Sequence, residues 1–475
     1  RYGTVTGVQT CALPILHRWA TADLLPTLPP APAVLGREIG EAMNLRFYGV
    51  DLKLPGMEAG REEATVIEVN LTPEGLINLN HLEQLLQDSR YRGRMRIGSF
   101  SAASNVTGMR SPVHEIAALL HRHGAMACFD FAASAPYVDI DMNPPPGKFN
   151  GDASLDAVFI SPHKFLGGPG STGVLVFNKR LYHAELPPSV SGGGTVDYVG
   201  PESQDFITDI EEREKAGTPG VLQILKAGLA FQLKDRLGVE AIERRELQLL
   251  QQTLERWGRN PSIEVLGNPD PDLRVSIVSF NIRNEAGQYL HPKFITTLLN
   301  DLFGIQSRAG CSCAGPYGHR LLDIDQETSE EYRKAINEGF CGVKPGWCRI
   351  SLHYIMDQIE VDFILDAIDF VAEHGFLFLP LYDFDVHSGA WTHKRDSVAL
   401  EAFSIDAALT CPGYHSRQLS EGERGALYQA FITEAKTMAA QLQCDLATKR
   451  SPAEYRMRGD MDRLKFFSVP ETSVS

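Results

Sequence analysis

Lys164 stands in ISPHKFLGGPGSTGVLVF, residues 160–177, where an apolar run ends in a Ser-Pro-His-Lys turn and a glycine-rich bend follows. A lysine at the mouth of a buried sheet is costly as an ammonium, because desolvation penalises the charged form. The same desolvation suits an amine that is to react with a carbonyl group. Two other apolar runs end in polar residues. MRIGSF (95–100) leads into SAASNVTG with Ser104 and Asn105, and AMACF (125–129) ends at Asp130. A strand-terminal Asp is ordinarily a turn former or a cap, and an isolated His-Lys pair is ordinarily a surface turn. Three successive strand ends offering Asn, Asp and Ser/His/Lys go beyond turn chemistry. In open parallel sheets, ligands lie beyond the carboxyl ends of the strands.

The set matches the needs of pyridoxal 5'-phosphate (PLP). An amine joins the aldehyde, and a carboxylate keeps the pyridine nitrogen protonated so that the ring withdraws electrons. A further donor serves the phenolate oxygen, while hydroxyls and backbone N–H groups hold the phosphate. GGPGSTG (167–173) has neither the Lys-Ser/Thr ending of a P-loop nor the spacing of a dinucleotide fingerprint.

These residues need a sheet to carry them. ATVIEVNL (64–71), MRIGSF, AMACFD, DAVFIS (156–161) and GVLVF (173–177) read as short strands. NLNHLEQLLQ (78–87) and SPVHEIAALLHRHG (111–124) read as helices, the second with a Ser cap, Pro at its first position and a stop at Gly124. Near-continuous apolar strands alternating with helices predict an α/β layer fold with a mostly parallel, doubly covered sheet. Helices at 219–238 and 239–258 follow. Strands at 274–282 and 348–354 then alternate with helices at 291–304 and 359–375, which predicts a smaller α+β domain. The expected division is a partial large domain over 37–260, a small domain over 261–375, and an extension of unknown role over 376–475. Residues 1–36 fall outside it: RYGTVTGVQTCALPIL resembles adapter read-through, and the Pro/Ala-rich stretch after it reads as linker.

Composition narrows the function. Of 475 residues, 43% are apolar and 22% charged, as in ordinary globular domains. A net charge of -15 argues against nucleic acid or anionic membrane as partner. No apolar run reaches the ~20 residues that span a bilayer. Eight scattered cysteines do not form a disulfide framework, so a reducing, cytoplasmic setting is expected. No metal site is read; the lone Cys-x-Cys at 311–313 falls short of the four ligands zinc takes.

SFSAASNVTG, DFAASAPYVDI, FISPHKFLGGPGSTGVLVF, EREKAGTPG, SRAGCSCAGP and CRISLHY occur in this order. Together, over about residues 62–372, they resemble the class V aminotransferase-fold proteins, including the cysteine desulfurases. The resemblance implies the type I fold of PLP-dependent transferases and a set of roles. Lys164 would carry the imine to PLP, Asp130 would pair with the pyridine nitrogen, and Asn105 would serve the phenolate oxygen. Ser161 and His163 would meet the phosphate or the surroundings of the lysine. Thr218 would reach the phosphate bound in a neighbouring subunit, implying a homodimer. Arg349 would fork onto the carboxylate of a small amino-acid substrate. In the desulfurase branch, Cys313 would take the substrate's sulfur as a persulfide, aided by Arg308, and pass it to a sulfur acceptor protein.

Two other readings stay open: a transaminase that does not need Cys313, and a PLP-fold binding subunit that no longer catalyses. The resemblance has gaps. Ala133 stands where desulfurases commonly have glutamine, and no ring-stacking histidine or phosphate turn is recognisable in residues 1–61. The polypeptide as given is therefore expected to bind PLP weakly or to fold incompletely.

Overall fold

The structure, a computed structural model, describes residues 69–72, 75–311, 314–395, 405, 419–448 and 461–469. The adapter-like stretch, most of ATVIEVNL and Cys313 lie outside them. The described residues form two compact units, one running to residue 245 and adding 272–275, the other made of 246–271 and 276 onward.

The first unit contains a four-stranded sheet, β1 Ile97–Ser101, β2 Met126–Asp130, β3 Ala157–Ile160 and β4 Val174–Phe177, in that spatial order. β1, β2 and β3 run parallel, and β4 closes the sheet antiparallel to β3. Helix α1 Leu79–Gln87 starts where the Asn78 side chain accepts from the His81 N–H at 3.0 Å. Helix α2 Val113–Arg122 packs against β2 and buries Ile116, Leu119 and Leu120. Its start differs from the sequence expectation. Pro112 occupies the cap position, and Ser111 Oγ donates to the Ser101 carbonyl at 2.7 Å rather than capping. A hairpin of β5 Val196–Val199 and β6 Gln204–Phe206 follows, then α3 Ile210–Arg213, α4 Val221–Leu237 and the first residues of α5 Val239–Trp257.

The second unit has an antiparallel sheet of β7 Ile263–Val265, β8 Ile277–Ile282, β9 Arg308–Gly310 and β10 Trp347–Ser351, in the order β7-β8-β10-β9. Every residue of β8 is buried. Helices α6 Pro292–Phe303, α7 Gly315–Leu321, α8 Gln326–Asn337 and α9 Gln358–Phe378 accompany it. The ring of His291 caps α6. Asp357 caps α9 by accepting from the Glu360 N–H at 2.9 Å.

The core of this unit includes the residues after 376 that are described. α9 buries Val361, Phe363, Leu365, Ile368, Phe370 and Val371, an apolar set covering more than half of its circumference, while Asp362, Asp366 and Asp369 line the remaining face and bond Gln252 and Arg256. Such a helix needs cover on more than one side, and α9 packs against both α6 and the 28-residue α10 Glu421–Thr448. Phe363 and Tyr428 stack face to face, with centroids 4.0 Å apart and planes 4° from parallel. A hairpin of β11 Tyr382–Asp385 and β12 Ala390–His393, with α11 Met461–Leu464 and the residues after it, completes the core. Phe384, Trp391 and Phe467 surround the buried His291 ring. Burial lowers the pKa of His291 to about 3, so the ring is neutral; it bonds the Gly342 carbonyl and the Lys293 N–H. Trp257, Trp347 and Trp391 are all buried in this unit.

Candidate active site

The parallel register brings three strand ends level. Ser101 lies opposite Asp130, and Asp130 lies opposite Phe159. The ladder continues one step past the strands, with Ala102 N–H donating to the Asp130 carbonyl at 2.8 Å and Phe131 N–H to the Phe159 carbonyl at 2.9 Å. Neighbouring strands are about 4.8 Å apart. The loops carrying Asn105, Asp130 and Ser161–His163–Lys164 therefore leave one edge of one sheet, as the sequence predicts.

Each loop has its own local cause. Ser104 Oγ accepts from the Val106 and Thr107 N–H groups at 3.1 and 3.2 Å, which turns the chain around the half-buried Asn105. Asp130 is exposed, and its Oδ1 accepts from the Ala132 N–H at 2.7 Å. Lys164 ends a short 3-10 turn, Pro162–Lys164, and its N–H donates to the Ser161 carbonyl at 3.0 Å. Gly168 packs against that turn so closely that a Cβ there would lie 1.8 Å from the Pro162 carbonyl oxygen. Only glycine fits. Burial, followed by the neighbouring Lys164 charge, lowers the pKa of His163, so its ring is neutral at physiological pH.

The opposite edge of the sheet is braced by a residue that the sequence reading did not single out. Asp156, buried just before β3, accepts from His121 Nε2 at 2.9 Å, the Ala127 N–H at 2.9 Å and Arg180 at 2.6 Å. Burial works against this carboxylate, but those bonds prevail and hold its pKa below the usual range.

Thr218 is exposed on the turn before α4. The preceding motif is anchored by Arg213, which donates to the carbonyls of Ala184 and Leu186 at 2.9 and 2.5 Å, and by Glu214, which accepts from Tyr182 at 2.6 Å and the Ser189 N–H at 3.0 Å. The Thr172 N–H, in the bend after Lys164, donates to the Gln223 carbonyl of α4 at 3.3 Å.

Arg349 belongs to the second unit, in β10, where it lies opposite Ser279 of β8 and Arg308 of β9. Cys311 follows β9 and is half-buried, and Gly310, at φ +115°, shapes the strand's exit into that loop. Cys128, in β2, is half-buried, and burial raises its pKa to about 11, which makes it a poor nucleophile.

The donor set in the first unit suits PLP: an amine, an exposed carboxylate, an amide and a neutral imidazole share one sheet edge. Ser171 Oγ, in the bend beside them, is buried without a hydrogen-bond partner among the described residues. Among those residues no cluster of metal-ligating side chains occurs, and no helix is long and apolar enough to cross a membrane.

Residues 53–364 match the family model of aminotransferase class-V. A probable cysteine desulfurase of Halalkalibacterium halodurans is 31% identical over 261 residues, covering 55% of this chain and 58% of that one. Probable cysteine desulfurase 2 of Mycobacterium leprae is 30% identical over 269 residues, covering 56% and 59%. The chain thus spans just under three fifths of the length of these curated relatives. Among solved structures, the apo cysteine desulfurase from Thermococcus onnurineus NA1 superimposes with a TM-score of 0.52 at 24% identity, covering 64% of this chain and 65% of that one. The expected fold, a mainly parallel sheet flanked by helices with the type I PLP-dependent architecture, is borne out.

Proposed function

This chain belongs to the aminotransferase class-V family, and from that membership we propose that it is a PLP-dependent enzyme acting on a small amino acid, with cysteine desulfuration as the favoured reaction. The observation that carries the reading is the convergence of Asn105, Asp130 and Ser161–His163–Lys164 on one edge of a parallel sheet. When bound, the cofactor would supply an electron-withdrawing ring conjugated to the substrate.

The residues then divide the work. Lys164 Nζ would hold the cofactor's aldehyde carbon and would carry a proton at the substrate's α-carbon. The Asp130 carboxylate would accept a hydrogen bond from the protonated ring nitrogen, and Asn105 would donate to the phenolate oxygen. Neutral His163 orders the lysine's surroundings, while Ser161 and Thr218 serve the phosphate, Thr218 across a homodimer. Arg349 binds the substrate carboxylate, for which a planar guanidinium is suited. Cys313 attacks the substrate's sulfur: the C–S bond breaks, an S–S bond forms on the enzyme, and the carbon left behind takes a proton to give alanine. A cytoplasmic location and a sulfur acceptor protein complete the proposal.

Borohydride reduction in the presence of PLP, followed by peptide mapping, tests it. Label should appear at Lys164 and vanish in Lys164→Ala; an unlabelled Lys164 overturns the assignment. Alanine release from cysteine should be lost in Cys313→Ala, and unchanged release would favour the transaminase reading.

A further inference from the structure

Lys234 lies on α4, outside every motif that points to the cofactor, yet its contacts lead to both key loops. Its Nζ donates to the Ala135 carbonyl at 2.7 Å and to the Val138 carbonyl at 2.5 Å. Those carbonyls close the turn that begins at Asp130, in which the Ala135 N–H donates to the Phe131 carbonyl and the Val138 N–H to the Ser134 carbonyl. The same ammonium stands 5.6 Å from the ring centroid of Phe165, the residue after Lys164. Phe165 is buried and packs edge-on against Phe231, one turn earlier on α4, with centroids 4.9 Å apart. Its N–H and carbonyl hold the Pro162 carbonyl and the Gly168 N–H.

We propose that Lys234 is a positioning residue for the Asp130–Lys164 pair, clamping the turn after the carboxylate to the turn after the lysine. The proposal rests on the PLP reading. PLP is a rigid ring, so the group that meets its nitrogen and the amine that meets its aldehyde must keep a fixed separation, and small displacements are costly in rate. Asp130 and Lys164 sit on different loops, and the sheet fixes only where those loops begin. One cation bonded to two carbonyls and seated over a ring ties the loops together beyond the strands. Burial lowers the ammonium's pKa, with Asp139 and Glu243 opposing; an unbonded lysine would instead extend to water.

The test uses the full chain with Lys234→Met and Lys234→Arg. In ligand-free protein, amide hydrogen exchange should become at least ~10-fold faster in Lys234→Met over both 131–138 and 162–168, with β1 and α2 unchanged. Acceleration in one turn only, or in neither, overturns the clamp. With PLP added, the pH midpoint of the bound cofactor's absorbance should move by ~0.5 unit or more in Lys234→Met and return towards wild type in Lys234→Arg. A lowered melting temperature with an unmoved midpoint would make Lys234 merely structural and overturn its positioning role. If wild type takes up no PLP, the functional reading fails, and the exchange result alone decides the clamp.

Discussion

Every residue of β8 in the antiparallel unit is buried, whereas β4 in the lysine-bearing unit leaves Leu175 53% and Val176 42% exposed. The helices differ in the same way. The broad apolar face of α9 is covered by α6 and α10, while α4 exposes Val221, Leu222, Ile224, Leu225 and Leu229, with Leu222 at 76%. The unit that carries the amine and carboxylate is thus the less self-sufficient in burial. Its loops hold their shape by specific polar ties, at Asp156, Arg213 and Lys234, whereas the other unit adds ties such as Arg256 to Asp366 and Asp369 to a continuous apolar core. Binding loops are commonly drawn from the less stable parts of a fold.

Removing the cover should erase this contrast. Truncation after Phe378 deletes the hairpin and α10, exposing Phe363 and its neighbours; calorimetry should show loss of the antiparallel unit's cooperative transition. A retained transition would mean that the extension is only attached to the core. Next in size, Asp156→Ala strands Arg180, His121 and the Ala127 N–H, and should destabilise the lysine-bearing unit by about 3–5 kcal/mol in urea unfolding. The antiparallel unit's midpoint should stay where it is.

A smaller effect sharpens the comparison from the other side. Glu246, buried in the antiparallel unit, contacts Ser276 Oγ, which donates to the Leu352 carbonyl at 2.6 Å. Burial pushes the pKa of the Glu246 carboxyl up to about 8. Between the ordinary value of 4.5 and about 8, the folded state keeps a proton that the unfolded chain gives up. Stability therefore falls as pH rises through this window, by at most about 1.4 kcal/mol per unit. Glu246→Gln should flatten that slope in urea midpoints measured at several pH values. Smallest of all, Leu222→Ser and Leu225→Ser on exposed α4 should alter stability by no more than about 0.5 kcal/mol, while reducing self-association seen by light scattering.

The candidate site was legible because its residues lie next to their strands. Asn105, Asp130 and Lys164 each follow an apolar run, and a parallel sheet brings such ends together without further information. Lys234 gave no such signal: polar and apolar residues are mixed around α4, so no stripe marks which positions turn inward, and the carbonyls it bonds lie about a hundred residues away in sequence. The role of the extension was hidden for the same reason. Phe384, Trp391 and Phe467 meet His291 only through tertiary packing. At α2, the Ser-Pro signal placed the helix correctly but not its cap, because the Ser101 carbonyl offers Ser111 a stronger claim.

The placement of the indole rings has a practical consequence. Trp257, Trp347 and Trp391 all belong to the antiparallel unit, and no described residue of the lysine-bearing unit is a tryptophan. Emission from these three rings will therefore report on one half of the described molecule, and a melt followed through them can look intact while the half bearing Lys164 has already come apart.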